Sequence, residues 1–400
     1  MARTFDIVVY GATGFTGRQL IKHLCIHAPA STKLAVAGRN RDKLAAVVAA
    51  MPRQDIGIVV ADSSDRERVH TMCADTRVVA NTAGPFALYG SAVVEGCAIA
   101  GTHYVDITGE TPWVRDMIDA FHARAKQSGA KIVPFCGYDS CPSDLGTLLV
   151  SRYLRERGED TRRVVALQSL HGGGLNGGTV ASALALAESG RLSDLANRFL
   201  LSPGSTPSAQ VKAESRDPHA VEWHAPSERF LTPFFMGPVN SRVVRRSDFL
   251  FAQKGEGYGP AFVYVEHMAT RSRAIAYTML AANLAGTLAG QQKWLLKLAK
   301  PFVPKPGAGP SDKEMDSGSF KTVLFGEGAN GTQVRAEISG AGDAGNRVTI
   351  TFLGESALAM AAGETVCQDG GILTPSYALG ESLLRRVRAR GMTAKVDAVV

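Results

Sequence analysis

The sequence predicts an α/β protein, with a doubly wound parallel sheet in its first third and an α+β domain in the remainder. Two observations support the parallel sheet. Apolar runs alternate with helical patterns as far as residue 135, and runs such as Ile7–Val9 and Ile58–Val60 are apolar at every position. Strands buried on both faces are typical of parallel sheets covered by helices. A length of 400 residues favours two or three domains.

The first domain is expected to contain six strands and five intervening helices, because each apolar run is followed by a stretch with helical periodicity. The predicted strands are Phe5–Tyr10, Lys33–Ala37, Ile56–Ala61, Arg77–Thr82, His103–Ile107 and Lys131–Phe135, and the predicted helices lie near 15–27, 41–51, 64–74, 89–100 and 112–128.

The pattern becomes mixed after Gly137, which predicts a domain division at 1–142, 143–372 and 373–400. The last segment is interpreted as a C-terminal helix and is the candidate for a return to the first domain. Residues 203–233 are rich in Pro, Ser and charge and predict a long surface excursion. The other elements predicted here are helices at 143–154, 273–300, 354–368 and 374–390, and strands at 164–170, 261–269, 319–326, 332–339 and 346–353.

The composition argues against several kinds of protein. The formal charge is +7, but no basic run is interleaved with aromatic residues, so no nucleic-acid partner is expected. The six cysteines include no CxxC pair, and no Cys/His cluster has zinc spacing, so no metal site is predicted. The N-terminal residues do not resemble a signal peptide. We therefore expect a cytoplasmic location, with membrane association as the alternative.

An uncharged, largely apolar segment covers residues 274–290. It is shorter than the roughly 20 residues that a spanning helix needs. We expect a helix that is buried in the core or at a homodimer interface. The alternative is peripheral membrane contact through 273–300, with Lys293, Lys297 and Lys300 near its end.

A glycine-rich turn directly follows the first predicted strand and is the strongest indication of a ligand. Glycines at such a turn let backbone amides approach a pyrophosphate, and the start of the next helix adds partial positive charge. Together with the alternation of strands and helices, the turn predicts a Rossmann dinucleotide-binding domain. The residues expected to hold the cofactor are Gly11, Ala12, Thr13, Gly14, Phe15, Thr16 and Gly17.

The end of the second strand indicates which dinucleotide binds. An NAD site usually has an acidic residue there, to bind the ribose 2′-hydroxyl. This chain has Gly38 at that position, followed by Arg39 and Asn40, and no carboxylate occurs before Asp42. Since a guanidinium matches the geometry of a 2′-phosphate, NADP is favoured over NAD. The alternative is that Arg39 and Arg41 only cap the start of the next helix.

Two further strand ends are candidates for cofactor contacts. Asp62 ends the third strand, near the expected adenine edge, and a helix-capping role together with Ser63 is an equal alternative. The loop after the fourth strand has small residues that would lie along the cofactor towards the nicotinamide. Its members are Asn81, Thr82, Ala83, Gly84 and Pro85.

Polar residues near the expected crevice are the catalytic candidates. They are Tyr89, Asp106 and Asp139, each of which flanks or follows a predicted strand end. Hydride transfer to an activated double bond requires a proton donor for the other carbon, and Tyr or Asp can supply it. The alternative for Asp139 is capping of the helix predicted at 143–154. The sequence does not order the three candidates.

Several motifs together resemble the saccharopine dehydrogenase-like oxidoreductases, and most closely the trans-acting enoyl reductase group. The similarity runs nearly from end to end. It rests on the segments 10–17 (YGATGFTG), 37–39 (AGR), 81–86 (NTAGPF), 104–110 (YVDITGE), 136–145 (CGYDSCPSDL), 177–182 (GGTVAS), 240–247 (NSRVVRRS) and 305–311 (KPGAGPS).

The resemblance implies a Rossmann domain followed by an α+β domain, with NADPH as cofactor and the substrate between them. It also implies reduction of a carbon–carbon double bond in a hydrophobic acyl or polyketide-type substrate, small or carrier-bound, in lipid metabolism. Tyr138 stands where a Phe is common in the family, which argues against a general role for Tyr138 as proton donor. Two alternatives stay open: a saccharopine-type amino-acid dehydrogenase, and a catalytically silent NADPH-binding scaffold associated with membranes.

Overall fold

The computed structural model describes residues 3–172, 176–290 and 307–398, which form two seven-stranded sheets. The first sheet is parallel throughout and has the strand order β13-β6-β5-β4-β1-β2-β3. Its strands are β1 (Phe5–Tyr10), β2 (Leu34–Gly38), β3 (Gly57–Val60), β4 (Thr76–Asn81), β5 (His103–Asp106), β6 (Lys131–Val133) and β13 (Gly371–Ile372).

The second sheet is mixed, with the order β14-β12-β11-β7-β10-β9-β8, and β7 and β10 are its parallel pair. The predicted fold class, a Rossmann sheet followed by an α+β domain, is thereby confirmed. The strands of this sheet are β7 (Thr161–His171), β8 (Glu222–His224), β9 (Arg229–Pro233), β10 (Val263–Thr270), β11 (Ser319–Gly328), β12 (Gln333–Ala341) and β14 (Thr393–Ala398).

The helices of the first domain cover both faces of the parallel sheet, and the predicted helix 89–100 is divided at Gly90 into two. The helices along the described chain are α1 (Phe15–His27), α2 (Arg41–Ala49), α3 (Arg66–Ala74), α4 (Phe86–Tyr89), α5 (Ser91–Ala100), α6 (Thr111–Ser128), α7 (Cys141–Arg155), α8 (Gly177–Glu188), α9 (Ala209–Glu214), α10 (Gly237–Ala252), α11 (Arg273–Gly290), α12 (Asp312–Asp316), α13 (Thr349–Ala361), α14 (Pro375–Ala378) and α15 (Gly380–Ala389).

The two faces of the parallel sheet bury separate cores because side chains alternate along each strand. On β1, Ile7 and Val9 join the core that continues into the second domain, whereas Val8 and Tyr10 join the core beneath α3, α5 and α6. All four side chains are almost completely buried. The continuous apolar runs in the sequence therefore reflect burial on both faces.

The chain returns to the first sheet after the second sheet has formed. Helix α13 packs against α1, β4 and β5, and β13 pairs in parallel with β6, with Gly371 opposite Lys131. The predicted strand 346–353 is therefore wrong, because this segment enters α13. The β-branched residues Thr349, Ile350 and Thr351 favour a strand locally, but burial against the Rossmann sheet stabilises the helix instead.

The C-terminal segment 373–400 contains more than the predicted helix. It forms α14 and α15 and then β14, which pairs antiparallel with β12 at the edge of the second sheet. Within this segment α14 contacts β6, so part of it does touch the first domain. The main return is upstream, through α13 and β13. The division at 1–142, 143–372 and 373–400 stays a prediction.

The predicted surface excursion at 203–233 is partly regular structure. It contains α9, β9 and the edge strand β8, and β9 pairs with both β10 and β8. The Pro- and Ser-rich composition of this segment suggested a loop, because the strand signals in β8 and β9 extend over only three and five residues.

Helix α11 is the described part of the predicted helix 273–300, and residues 291–300 lie outside the described residues. Burial in the core or at a homodimer interface was expected here. Among the residues of this helix whose side chains are described, Ala276 alone is fully buried within the chain. Ile275, Tyr277, Leu284 and Leu288 are exposed. In the described ranges, no helix has the length and hydropathy of a membrane span.

A buried carboxyl, Glu266 on β10, joins the second sheet to two helices. Its Oε1 accepts hydrogen bonds from Ser143 Oγ (2.9 Å), Gln168 Nε2 (2.6 Å) and Asn240 Nδ2 (3.1 Å). Its Oε2 accepts a hydrogen bond from Tyr264 OH (3.0 Å). Burial raises the pKa of Glu266 to about 7, although the four hydrogen bonds lower it in part. Compared with the unfolded chain, the folded protein therefore favours the protonated form of Glu266.

The variant Glu266→Gln tests this buried acid. Because the pKa is 4.5 for the free group and about 7 in the folded protein, the free energy of unfolding of the wild type should fall as pH rises through this interval. Glutamine keeps the shape of the protonated acid and cannot ionise. In the variant, the decline in the free energy of unfolding between pH 4.5 and 8 should be smaller than in the wild type by up to about 3 kcal/mol, as measured by urea unfolding.

The control is Glu327→Gln, which removes a partly exposed carboxyl on β11. Its pH dependence should match that of the wild type. Parallel curves for Glu266→Gln and the wild type would contradict a raised pKa at Glu266.

Candidate active site

The crevice of the first sheet lies where the strand order reverses. Strand β1 lies between β2 and β4. The sheet therefore extends through β2 and β3 on one side of β1, and through β4, β5 and β6 on the other. In open parallel sheets, ligands bind outside the carboxyl ends of the strands at such a switch point. The predicted residues 11–17 and 81–85 follow β1 and β4, so these loops are neighbours at this position.

Close backbone packing explains the glycines of the first loop. Gly11 has φ +81°, and a Cβ atom there would lie 2.8 Å from the amide nitrogen of Ala83. A Cβ on Gly17 would lie 2.5 Å from the carbonyl oxygen of Gly11 and 2.9 Å from Thr82 Oγ1. Neither position can accept a side chain without displacing the neighbouring loop. The structure therefore brings the two predicted cofactor loops into direct contact.

The start of α1 is open to an anion. Gly14 is the N-cap residue of this helix, and no side chain caps it. The first turn contains no acidic residue. The first amides of a helix have no partner within the helix and carry partial positive charge. This turn, which includes Phe15 and Thr16, fits the pyrophosphate of a dinucleotide.

The loop after β4 is held by its own side chains. Asn81 is buried, and its Oδ1 accepts a hydrogen bond from the amide of Ala83 (2.9 Å). Thr82 donates from both its amide and its Oγ1 to the carbonyl oxygen of Tyr10 (2.9 Å each). The loop is thereby fixed to the end of β1 before any ligand binds.

The second domain reaches the glycine loop from outside. A Cβ on Gly309 would lie 2.5 Å from the ring of Phe15, and Arg18 Nη2 donates to the carbonyl oxygen of Gly307 (3.0 Å). On α8, Ser182 Oγ lies 3.2 Å from the position of a Cβ on Gly84. The cofactor loops therefore lie at the junction of the two domains.

Three predicted cofactor residues lie further along the crevice edge. Arg39 is exposed after β2 and forms no hydrogen bond or ion pair with any described residue, so its guanidinium is available to a 2′-phosphate. Asn40 is the N-cap of α2, and its Oδ1 accepts a hydrogen bond from the Lys43 amide (2.9 Å). Asp62 accepts hydrogen bonds from the Ser64 amide and hydroxyl, which lower its pKa, as does nearby Arg39 to a lesser extent.

Asp106, at the end of β5, is fully buried and bonded at both carboxyl oxygens. Oδ1 accepts hydrogen bonds from the amides of Thr108 (3.0 Å) and Phe135 (3.1 Å), and Oδ2 accepts one from Tyr104 OH (2.7 Å). Burial raises the pKa of Asp106 to about 7. Tyr104 OH in turn accepts a hydrogen bond from Asn81 Nδ2 (3.1 Å). These contacts suit a positioning role better than proton donation to a substrate.

The backbone is strained at Phe135, whose amide donates to the Asp106 carboxyl. Phe135 is buried with φ +67°, a left-handed conformation that is costly for a bulky residue. The hydrogen bond from its amide to Asp106 Oδ1, and the one from the Cys136 amide to the Asp106 carbonyl oxygen (2.7 Å), hold the chain in this turn. The turn directs residues 136–140 back across the carboxyl end of the sheet.

Asp139 differs from Asp106 in its surroundings. Its side chain is partly buried and has no hydrogen-bond or ion-pair partner within the ranges that the structure describes. Burial raises the pKa of Asp139 to about 6. The expected alternative, capping of α7, is not observed, because the N-cap is Ser140 and no side chain caps this helix. Asp139 is thus an acid that can be protonated near neutral pH and is not engaged elsewhere.

Tyr89 is the last residue of α4, with 42% of its surface exposed. The start of α4 is fixed by Glu110, whose two carboxyl oxygens accept hydrogen bonds from the amides of Phe86 (2.9 Å) and Ala87 (2.8 Å). The segment 104–110 is one of the motifs singled out in the sequence, but neither Glu110 nor Tyr104 was predicted from it to be catalytic or cofactor-binding. Tyr104 could have been found, because Tyr104 and Asp106 are two apart on a strand and share one face. Glu110 bonds to amides 24 and 23 residues away, which no local pattern indicates.

The comparisons with known proteins agree with this geometry. Residues 7–133 match the family model of the saccharopine dehydrogenase NADP binding domain. A protein named trans-acting enoyl reductase from Mycobacterium tuberculosis is 33% identical over 412 residues, covering 98% of this chain and 97% of the relative. A protein of the same name from Mycobacterium ulcerans is 32% identical over the same shares of both chains.

Among solved structures, the apo, histidine-tagged, L-Glu-forming saccharopine dehydrogenase from Saccharomyces cerevisiae has a TM-score of 0.56 at 12% identity. The match covers 98% of this chain and 99% of that one. This likeness concerns the fold alone. The glycine cradle, the uncapped helix start and the unpaired Arg39 fit a phosphate-bearing dinucleotide. The chain belongs to the saccharopine dehydrogenase-like family, in the group whose curated relatives are named trans-acting enoyl reductases, and it is an NADP-dependent oxidoreductase.

Proposed function

We propose that this protein reduces a carbon–carbon double bond in a hydrophobic acyl substrate, with NADPH as the electron donor. The observation that carries the proposal is an acid with raised pKa, Asp139, beyond the end of β6 and on the cofactor-binding side of the sheet. Reduction of an enoyl group requires a hydride at one carbon and a proton at the other. The full-length similarity to proteins named trans-acting enoyl reductase supports the same reaction class.

The substrate class is inferred from apolar side chains near the crevice. Leu88 and Tyr89 on α4 are exposed, as is Phe235. The neighbouring Met236 Cε lies 3.3 Å from the position of a Cβ on Gly109, in the loop after β5. Exposed apolar residues around a cleft favour a hydrophobic ligand. A fatty or polyketide-type acyl thioester, free or attached to a carrier protein, fits this surface.

Cofactor binding, proton donation and positioning would be carried out by different residues. Amides of the loop at Gly11, Gly14 and Gly17 would bind the pyrophosphate, Arg39 would bind the 2′-phosphate, and the loop 81–85 would orient the nicotinamide side. Bound NADPH supplies the hydride. Asp139 would donate the proton to the substrate carbon and later regain one from solvent, since its side chain is partly exposed. Asp106 would hold the turn at Phe135 that places Asp139.

Cofactor preference is tested with Arg39→Asp. The variant should bind NADPH about 10- to 100-fold more weakly, because the charge-assisted contact with the 2′-phosphate is replaced by repulsion. NADH affinity should be unchanged or higher, since a carboxylate at the end of β2 can accept the ribose hydroxyl. Titration of nucleotide fluorescence measures both dissociation constants.

The matched control is Arg41→Asp, two residues further along the same exposed edge. It should retain most of the NADPH affinity. Equal losses in the two variants would assign the effect to general electrostatics, and an unchanged Arg39→Asp would remove Arg39 from the site.

The proton donor is tested with Asp139→Asn. With a trans-2-enoyl thioester as substrate, kcat should fall about 100-fold or more, while the dissociation constant of NADPH stays unchanged. In the wild type, the rate should decline as pH rises above about 6, because the acid with the raised pKa loses its proton. Asp139→Asn should abolish this decline.

The matched control is Asp248→Asn. Burial also raises the pKa of Asp248 to about 6, but its Oδ1 accepts a hydrogen bond from the Tyr258 amide (2.7 Å) at the end of α10. Its pH profile should follow that of the wild type. Oxidation of saccharopine with NADP⁺, together with inertness towards every enoyl thioester, would replace the proposed reaction with the amino-acid dehydrogenase activity.

A further inference from the structure

Helix α11 presents an apolar stripe to solvent. Tyr277, Leu284 and Leu288 are 48%, 59% and 55% exposed. At 100° per residue these three positions lie within about 40° of one another, so they form a single line along the helix. The side that packs on the sheet lies about 100–120° around the helix from this line. It includes the buried Ala276 and Asn283, whose Nδ2 donates to the carbonyl oxygen of Pro233 (2.8 Å).

Along the chain, the charges on either side of this helix have one sign. None of the 45 residues between Glu266 and Asp312 is acidic, and six of them are Lys or Arg. In the described part, Arg271 and Arg273 are exposed at the start of α11, and the guanidinium of Arg273 lies 5.8 Å from the centroid of the Tyr277 ring. An apolar stripe with cations at the start of its helix, in a stretch of chain without acidic residues, complements an anionic lipid surface, where headgroups attract the cations and acyl chains receive the apolar side chains.

A series of contacts connects this helix to the crevice. Pro233, which contacts α11, precedes the exposed Phe235, and Met236 next to it packs near Gly109. The loop continues to Glu110, which fixes the helix that carries Leu88 and Tyr89. The exposed apolar residues of the two regions are therefore carried by segments in direct contact.

We propose that α11 docks this protein on anionic lipid bilayers, with Tyr277, Leu284 and Leu288 inserted at the headgroup boundary and Arg271 and Arg273 against the phosphates. Lipids fit better than a protein partner, because the stripe offers aliphatic and aromatic surface with no acidic group to specify a docked chain. The inference concerns attachment and does not depend on the proposed reaction.

The experiment is co-sedimentation of the purified full chain with two kinds of vesicle. One contains phosphatidylcholine alone, and the other also contains about 30 mol% phosphatidylglycerol, which gives it a clearly negative surface. The wild type should bind the anionic vesicles, and binding should weaken between about 50 and 500 mM NaCl. Leu284→Glu/Leu288→Glu should reduce partitioning about tenfold or more, because both side chains would place charge at the apolar boundary.

The matched control is Ile26→Glu/Ile99→Glu, which introduces the same charges at two exposed apolar positions on α1 and α5. It should bind vesicles like the wild type. NADPH titration of both variants verifies the fold, since the altered side chains lie outside the cofactor loops. Lipid binding and NADPH binding are thereby measured separately.

Three results would overturn the proposal: no binding of the wild type to anionic vesicles, equal losses in the two double variants, or unchanged binding of Leu284→Glu/Leu288→Glu. Sedimentation velocity identifies a different occupant. If the wild type is a dimer that only the α11 variant converts to monomer, and neither binds vesicles, the stripe is a homodimer interface.

Discussion

The buried carboxyl of Asp106 is the interaction on which the active-site end of the Rossmann sheet depends. It accepts hydrogen bonds from amides in the loops after β5 and β6 and from the hydroxyl of Tyr104. The same hydroxyl accepts a hydrogen bond from Asn81 at the end of β4. Asn81 in turn holds the amide of Ala83, which lies against Gly11. Three strand ends thus share one hydrogen-bonded network, and the glycine loop packs directly against it. A buried network of this kind is stabilising only when every member is satisfied.

The same network explains why two aspartates with raised pKa values would have different roles in the proposed reaction. Asp106 lies in a site with donors on both oxygens, so its charge state affects the geometry of the loops. Asp139 lies beyond the strained turn at Phe135, partly exposed and without a partner among the described residues. Burial raises the pKa of both groups, but only the second is free to exchange a proton with a ligand. Environment, rather than residue type, separates positioning from chemistry.

Local rules predicted the first domain well, because there each strand and helix follows the previous one along the chain. The strand Phe5–Tyr10 and the helix Phe15–His27 have the predicted bounds. The failures are long-range. Helix α13 carries a β-branched start, and β13 has two residues, so neither has a local signal for packing on the Rossmann sheet. The role of Glu110 was not predicted for the same reason, since its partners are fixed by the fold and not by spacing.

The exposure of α11 follows from a similar conflict between composition and context. Seventeen uncharged residues predict burial, yet one side of the helix packs on β9 and β10 and the other has no cover within the described chain. A folded protein keeps such a stripe in water only at a cost in hydration free energy. That cost is offset if a bilayer covers the stripe during the catalytic cycle. The acyl substrate that we propose would itself be poorly soluble in water, so attachment at the bilayer would place the protein where such a substrate is concentrated.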